Sequence, residues 1–217
     1  MNLVVSPHLD DAVLSYGGFM SWSPKLHKVL TVLAGLPPHW YWPTPFDNAC
    51  GFHNSRQAVL SRRLEDVEAC DQFGATAVHL DFLDGQYGIN QHAESIPGAL
   101  HHALQEADEI AVPLGIGHPD HVIVARCCSL VLRSLQREFT VYADLPGAVL
   151  SPPDDLDLDL ALHVWELAGW ELEPIEWDVD LDGKRVAWER YGSQLHLPEL
   201  AWENLTEEHG WRASIAV

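Results

Sequence analysis

Six residues near the start of the chain, Ser6-Pro7-His8-Leu9-Asp10-Asp11, constrain its fold more than any other stretch. They follow directly on an apolar run, Leu3-Val4-Val5, that reads as a short buried strand. An imidazole and two adjacent carboxylates packed at a strand end are costly to hold together, so the cluster calls for a compensating cation. One later segment matches it: His118-Pro119-Asp120-His121, again directly after an apolar run, Ile110-Ala111-Val112-Pro113-Leu114. A parallel sheet brings two such strand ends together on one side.

The pattern between and beyond these motifs alternates strands with helices. Strands are expected at residues 1–5, 29–33, 77–82, 109–114 and 139–143, with a further candidate at 171–180. Helices are expected from Asp11, over 56–73 with Gly74 as C-cap, over 96–107 and over 121–136, and as an exposed helix over 183–194. Gly17-Gly18 allows the first helix to pack closely on the sheet. Residues 36–54 read as a long loop rich in Pro and aromatics, with Trp40 and Trp42 offering flat faces to a sugar; it serves as a lid or as a cap on the core. Residues 151–160 form an acidic connector or a helix start, and the tail from Pro198 has no placement. Such alternation implies an α/β layered fold with a parallel sheet and a site at the carboxyl ends of its strands.

Charge narrows the partners. The 217 residues carry 32 Asp and Glu against 12 Lys and Arg, a formal net charge of −20. That argues against nucleic acid and anionic membrane surfaces, which require cationic groups, and favours a small-molecule ligand. No apolar run approaches the roughly 20 residues of a membrane span, and no secretory signal is visible. Cys50, Cys70, Cys127 and Cys128 form no C-x-x-C pair and read as reduced thiols, so a cytoplasmic protein is expected. A homo-oligomer is left open.

The two motifs contain a full set of parts for metal-assisted amide hydrolysis. His8 and Asp11 sit three apart at a strand-to-helix turn and can face one point, and His121 adds a third ligand from a distant segment, the number a catalytic zinc uses. Asp10 is then a carboxylate beside the metal, free to act as general base. His118 is placed to donate to a developing oxyanion or a leaving amine, and Asp120 to fix its tautomer. The plainer readings are that Asp10-Asp11 and Asp120 simply cap helices. Arg62 either binds a substrate hydroxyl or carboxylate, or pairs with Glu65 or Asp66 on its own helix. Asp84 reads as a turn residue within reach of the pocket.

At these residues the chain resembles the PIG-L (LmbE-like) family of zinc-dependent de-N-acetylases. The family's Ala/Ser-Pro-His-Pro-Asp-Asp motif stands here as Ser6 to Asp11, and its His-Pro-Asp-His motif as His118 to His121. Arg62 to Asp66, Tyr142 to Pro146, and the pattern Lys184, Ala187, Tyr191, Ser193, Gln194 are similar to further family patches, so the resemblance covers about 1–195 of a single 1–217 domain. It implies a Rossmann-like three-layer sandwich with a mostly parallel central sheet. It implies one zinc per chain, other divalent metals being compatible, held by His8, Asp11 and His121, with Asp10 as base and His118 stabilising the tetrahedral intermediate. The implied activity is removal of an N-acyl group, foremost acetyl, from an amino sugar or related secondary metabolite. A thiol-conjugate or peptide-like amide, or metal or sugar binding without turnover, stays open. Two positions depart from the pattern. Leu9 replaces a Pro that is not a ligand, and Ile116 stands where the mycothiol-pathway branch has an assisting Tyr, which argues against a mycothiol-type substrate.

Overall fold

The computed structural model describes residues 1–38, 41–88, 93–144 and 156–216. In chain order its elements are β1 (Asn2–Ser6), α1 (Asp11–Trp22), β2 (His27–Thr31), α2 (Pro45–Ala49), α3 (Ser55–Asp71), β3 (Thr76–His79) and α4 (Ile96–Glu106). There follow β4 (Ile110–Pro113), α5 (Pro119–Leu135), β5 (Phe139–Tyr142), α6 (Leu156–Leu167), β6 (Trp170–Ile175), α7 (Leu181–Trp188) and β7 (Gly210–Ile215).

The strands form one sheet in the order β3-β2-β1-β4-β5-β7-β6. Pairing is parallel from β3 through β5, and β7 runs antiparallel to both of its neighbours. The order reverses between β1 and β4, which pair through Leu3–Ile110 and Val4–Ala111. That is the topological switch point, where loops at the strand carboxyl ends diverge and leave a crevice. Both motifs follow these two strands.

Alternation along the strands sorts the core into two layers. Leu3 and Val5 face one side with Leu30, Val112 and Val141, covered by Leu100 of α4, Val124 and Leu132 of α5, and Trp165 of α6. Val4 faces the other side with Val29, Ala111 and Tyr142, covered by Val13 and Tyr16 of α1, Ala69 and Cys70 of α3, and Ala187 of α7. The expected three-layer sandwich with a mostly parallel sheet is borne out.

Four local expectations need correction. Gly17 and Gly18 do not admit the sheet; they admit the C-terminal half of the chain and, at Gly17, also Phe73. A Cβ on Gly18 would lie 3.0 Å from both the Val179 Cβ and a Glu208 carboxylate oxygen, and one on Gly17 would lie 3.3 Å from the Lys184 Cγ. For the same reason the helix expected over 183–194 is not an exposed one. It ends at Trp188, and its Lys184 and Ala187 are buried. The loop at 36–54 contains α2, which Thr44 starts by accepting from the Asp47 backbone N–H while the Asp47 carboxylate accepts from the Thr44 N–H. Finally, the tail supplies β7, inserted between β5 and β6. Trp40 and the connector up to residue 155 lie outside the described residues.

Glu208 ties this tail to the N-terminal half. Its carboxylate, fully buried, sits 2.8 Å from the Lys184 Nζ and accepts from the Gly18 and Phe19 backbone N–H groups at 2.7 and 3.1 Å. Removing one partner of a buried ion pair leaves an uncompensated charge, at a cost of about 3–5 kcal/mol. Glu208→Gln is therefore expected to lower unfolding stability by about that amount in urea titration, and Lys184→Met with Glu208→Gln together by clearly less. Equal losses for the single and double variants would contradict this.

Candidate active site

The first motif is shaped by its own side chains. The Ser6 hydroxyl donates to the His8 carbonyl at 2.7 Å and accepts from the Ala12 N–H at 3.0 Å, closing the turn between β1 and α1. Asp10 occupies the cap position of α1 yet makes no side-chain cap hydrogen bond. Its carboxylate is therefore left for the cleft, and the capping reading fails. Asp11, buried, accepts from the His8 N–H at 2.8 Å. In the second motif His118 caps α5, Pro119 takes its first turn, and the His118 Nδ1 accepts from the Asp120 N–H at 3.2 Å. With Nδ1 accepting, the neutral His118 ring carries its proton on Nε2. Asp120 thus sets the His118 tautomer through its backbone N–H, where its carboxylate was expected to do so.

His8, Asp11 and His121 meet. The His8 Nδ1 lies 3.1 Å from the His121 Nε2 and 3.2 Å from an Asp11 oxygen, and that oxygen lies 3.1 Å from the His121 Nε2. Donors bound tetrahedrally at zinc distances stand about 3.3 Å apart, so this near-equilateral triangle fits a small divalent ion with one position open. The ring nitrogens of His8, His118 and His121 also come within 4.8 Å of one another, which keeps His118 at the edge of the site.

Behind His8 and behind His121 stands a carboxylate. Asp120 lies 3.2 Å from the His8 Nε2, with Asp84 at 4.0 Å, and accepts from the Gly85 N–H at 2.7 Å. Asp144, fully buried, lies 3.3 Å from the His121 Nδ1. It also accepts from the backbone N–H groups of Leu114, Gly115 and Ile116 at 3.1, 2.7 and 3.0 Å, fixing the loop that leads to His118. Carboxylates in these positions hold a ligating ring in the right tautomer and orientation. Asp84 is both things expected of it: its side chain accepts from the Gln86 N–H to start a short turn, and it lines the cleft. Asp144 was not singled out as a site residue; its place at the end of β5, within the family-like stretch Tyr142 to Pro146, was the available signal.

The electrostatics follow from this crowding. Burial pulls His8 down, but Asp84, Asp11 and Asp120 together hold it well above its ordinary value. Burial likewise opposes protonation of His121, yet Asp11 and Asp144 push it up to about 9. Asp11 is held well below the carboxylate range by His121 and His8 in spite of its burial. Asp10 goes the other way: burial and then the Asp11 charge push its carboxyl up to about 7. Burial and the two neighbouring imidazoles lower His118, which favours its neutral form.

Asp10, His118 and the triangle line a cleft of about 320 Å³. Arg62 is in its wall and is buried, but it pairs with neither Glu65 nor Asp66. Its Nη1 lies 3.0 Å from Asp47 on α2 and donates to the Tyr87 hydroxyl at 3.3 Å, and its plane lies 4.6 Å from the Phe46 ring centroid. Glu65 accepts from Ser193 instead, and Asp66 from Tyr191. Trp42 is 85% exposed and does not line the cleft; among the described residues of that loop, the aromatic that does is Phe46, carried inward by α2. Leu9 lines the cleft as an apolar residue, and Ile116 is buried in the core.

No family model matches the chain, and no curated protein matches it. Solved structures do. An antimicrobial pseudoaglycone deacetylase is 26% identical with a TM-score of 0.76, covering 100% of this chain and 98% of that one. A teicoplanin deacetylase in a zinc-inhibited form is 23% identical with a TM-score of 0.80, covering 99% and 98%. The N,N'-diacetylchitobiose deacetylase from Pyrococcus horikoshii is 17% identical with a TM-score of 0.60, covering 99% and 83%. The resemblance drawn from the two motifs is borne out.

Two outcomes test the metal site. His8 and His121 carry raised values, so at pH 7 an incoming cation has to displace protons from both. Affinity for zinc is expected to rise with pH up to about 9, with about two protons released per ion at pH 7, read by calorimetry in buffers of different ionisation heat. Zero protons released would contradict it. Asp144→Asn is expected to weaken zinc binding about 10–100-fold in chelator competition; unchanged affinity would remove Asp144 from the site.

Proposed function

We propose that this member of the LmbE-like (PIG-L) family is a metal-dependent hydrolase that removes an N-acyl group from an amino sugar or a related small secondary metabolite. The observation that carries the reading is the Asp10 carboxylate, at a helix cap position without a cap bond, in the same cleft as the His8, Asp11 and His121 donors and the His118 ring. The deacetylases among the structural neighbours, of teicoplanin, a pseudoaglycone and N,N'-diacetylchitobiose, support it, although a 4-carboxy-2-hydroxymuconate hydratase shares the fold at a TM-score of 0.60.

His8, Asp11 and His121 would hold the ion, for which we propose zinc, one per chain. The chemistry such an ion supplies when bound is Lewis acidity, which polarises a carbonyl and acidifies a water. Asp10 takes the proton of the attacking water as its oxygen joins the amide carbon. His118 donates from Nε2 to the oxygen that gains charge. As the C–N bond breaks, the proton passes from Asp10 to the departing nitrogen, leaving a free amine and a carboxylic acid. Asp120 and Asp144 hold the rings that the chemistry needs still. We keep the 1–217 chain as one domain and the cytoplasm as its compartment; its four cysteines are free, and no described helix is long and apolar enough to cross a membrane.

Asp10 makes the reading testable through a trade-off between stability and activity. A carboxyl raised from 3.8 to about 7 destabilises the fold as pH climbs through that interval, because the unfolded chain ionises first. Asp10→Asn is therefore expected to raise stability of the metal-free protein at pH 7 by about 1–4 kcal/mol, and to lower amide hydrolysis at least about 100-fold while zinc stays bound. An Asp10→Asn protein that hydrolyses normally would exclude Asp10 as base. If ligand binding were the sole activity, the variant would change neither binding nor turnover.

A further inference from the structure

A second cavity, larger than the catalytic cleft, runs between α5 and α6, with a volume of about 730 Å³. The loop that leads to His118 gives Leu114, Gly115 and Gly117 to its wall, and the Trp165 Nε1 donates to the Leu114 carbonyl at 2.9 Å. No donor of the triangle lines it, nor does Asp10 or His118. Three leucines that line it are turned largely to solvent: Leu130 on α5 is 64% exposed, and Leu160 and Leu167 on α6 are 59% and 74% exposed. A single exposed leucine needs no explanation, but three around one groove mark an interaction surface.

Helical spacing sets charge beside these leucines in a matched pattern. On α5, Arg126, Leu130 and Arg133 stand at i, i+4 and i+7 and share a face. On α6, Leu160, Val164 and Leu167 share a face at the same spacing, and Asp159, His163 and Glu166 share the adjacent one. The two arginines are seven residues apart and so are the two carboxylates, about 10 Å along a helix. Within one chain the two sets do not pair. The Arg133 guanidinium donates to the Gly169 carbonyl at 2.7 Å, and Glu166 lies 3.3 Å from His163 on its own helix. Among the described residues neither Arg126 nor Arg133 forms an ion pair. In a chain with a net charge of −20, two exposed arginines beside an apolar groove call for a partner that is both apolar and anionic.

We propose that the α5–α6 face is the two-fold interface of a homodimer. The α5 helix of each copy packs on α6 of the other, Arg126 and Arg133 meet Asp159 and Glu166 of the second copy, and the leucines close over the groove. A two-fold contact uses the same patch on both copies, so a patch that carries both halves of an ion-pair set is self-complementary. The proposal stands independently of the hydrolase reading. Size fixes the expected strength. The 17 residues of α5 span about 25 Å and two helices side by side about 20 Å, so the contact buries about 1,000 Å² over both copies. That is the low end of specific interfaces, and it fits a dimer that dissociates at micromolar concentration. The bland alternative is a solvated face that carries three leucines and two arginines, and it predicts no dependence on charge matching.

Sedimentation equilibrium at 0.15 M salt, where repulsion between the two acidic chains is screened beyond about 8 Å, reads the dissociation constant. Native mass spectrometry on the same samples reads any bound small molecule. Arg126→Glu with Arg133→Glu is expected to weaken the dimer at least about tenfold, and Asp159→Arg with Glu166→Arg to do the same. An equal mixture of the two double variants should dimerise again as a mixed pair, because every contact then joins opposite charges. All four positions are exposed, so the folds should persist, which unchanged thermal midpoints would verify. A chain that stays monomeric up to about 1 mM overturns the proposal. So does a dimer indifferent to both reversals, or a mixture that forms no mixed pair. A monomer that carries a small molecule lost on Arg126→Glu with Arg133→Glu gives the groove a different occupant and overturns it too.

Discussion

The parallel pairing of β1 with β4 is the constraint on which the rest of this molecule depends. Only two register pairs join them, Leu3 with Ile110 and Val4 with Ala111, yet they decide that two loops over a hundred residues apart leave the sheet side by side. From there local chemistry takes over. Ser6 closes the first turn and Asp144 grips the second loop by three backbone N–H groups, so the His8, Asp11 and His121 donors converge to within 3.2 Å. The apolar alternation of the strands is thus a requirement of the chemistry as well as of stability. A one-residue slip in β1 would turn Leu3 and Val5 toward the wrong layer and swing the His8 loop away from β4.

Crowding of ionisable groups then divides their roles. Asp10 and Asp11 are neighbours in sequence and near-equals in composition, but Asp11 faces two imidazoles and is held ionised, whereas Asp10 faces burial and the Asp11 charge and is held partly protonated near neutrality. One carboxylate becomes a donor and the other is left free to take a proton. The histidines divide in the same way. His8 and His121 each have a carboxylate behind them, and His118 has a backbone N–H on Nδ1 and a proton to give from Nε2.

The motifs and the parallel strands were legible in the sequence because both are local: apolar runs of three to five residues, and polar clusters of four to six. What escaped was long-range. Strand β7 is polar in part and reads as tail until it is seen to close a gap between β5 and β6. Lys184 marks its helix as exposed by residue type, and only the buried Glu208, brought in by that tail, explains why it is not. Arg62 offered Glu65 and Asp66 as partners at helical spacing, yet its partner is Asp47, on a short helix inside what reads as loop. The aromatic that lines the cleft is Phe46 and not Trp42, since the capping box at Thr44 sets which face of α2 turns inward. Asp144 lies in the family-like stretch from Tyr142 to Pro146, but nothing in that stretch marks it as a site residue; its role comes from its position at a strand end beside the switch point.

The most direct test of the central claim is anomalous X-ray diffraction at the zinc edge from crystals of the zinc-loaded protein. The account predicts one strong peak bonded to the His8 Nδ1, an Asp11 oxygen and the His121 Nε2, with Asp10 and His118 close by and unbonded. A peak on Asp84 and Asp120 instead, or no peak near the triangle at saturating zinc, would contradict it.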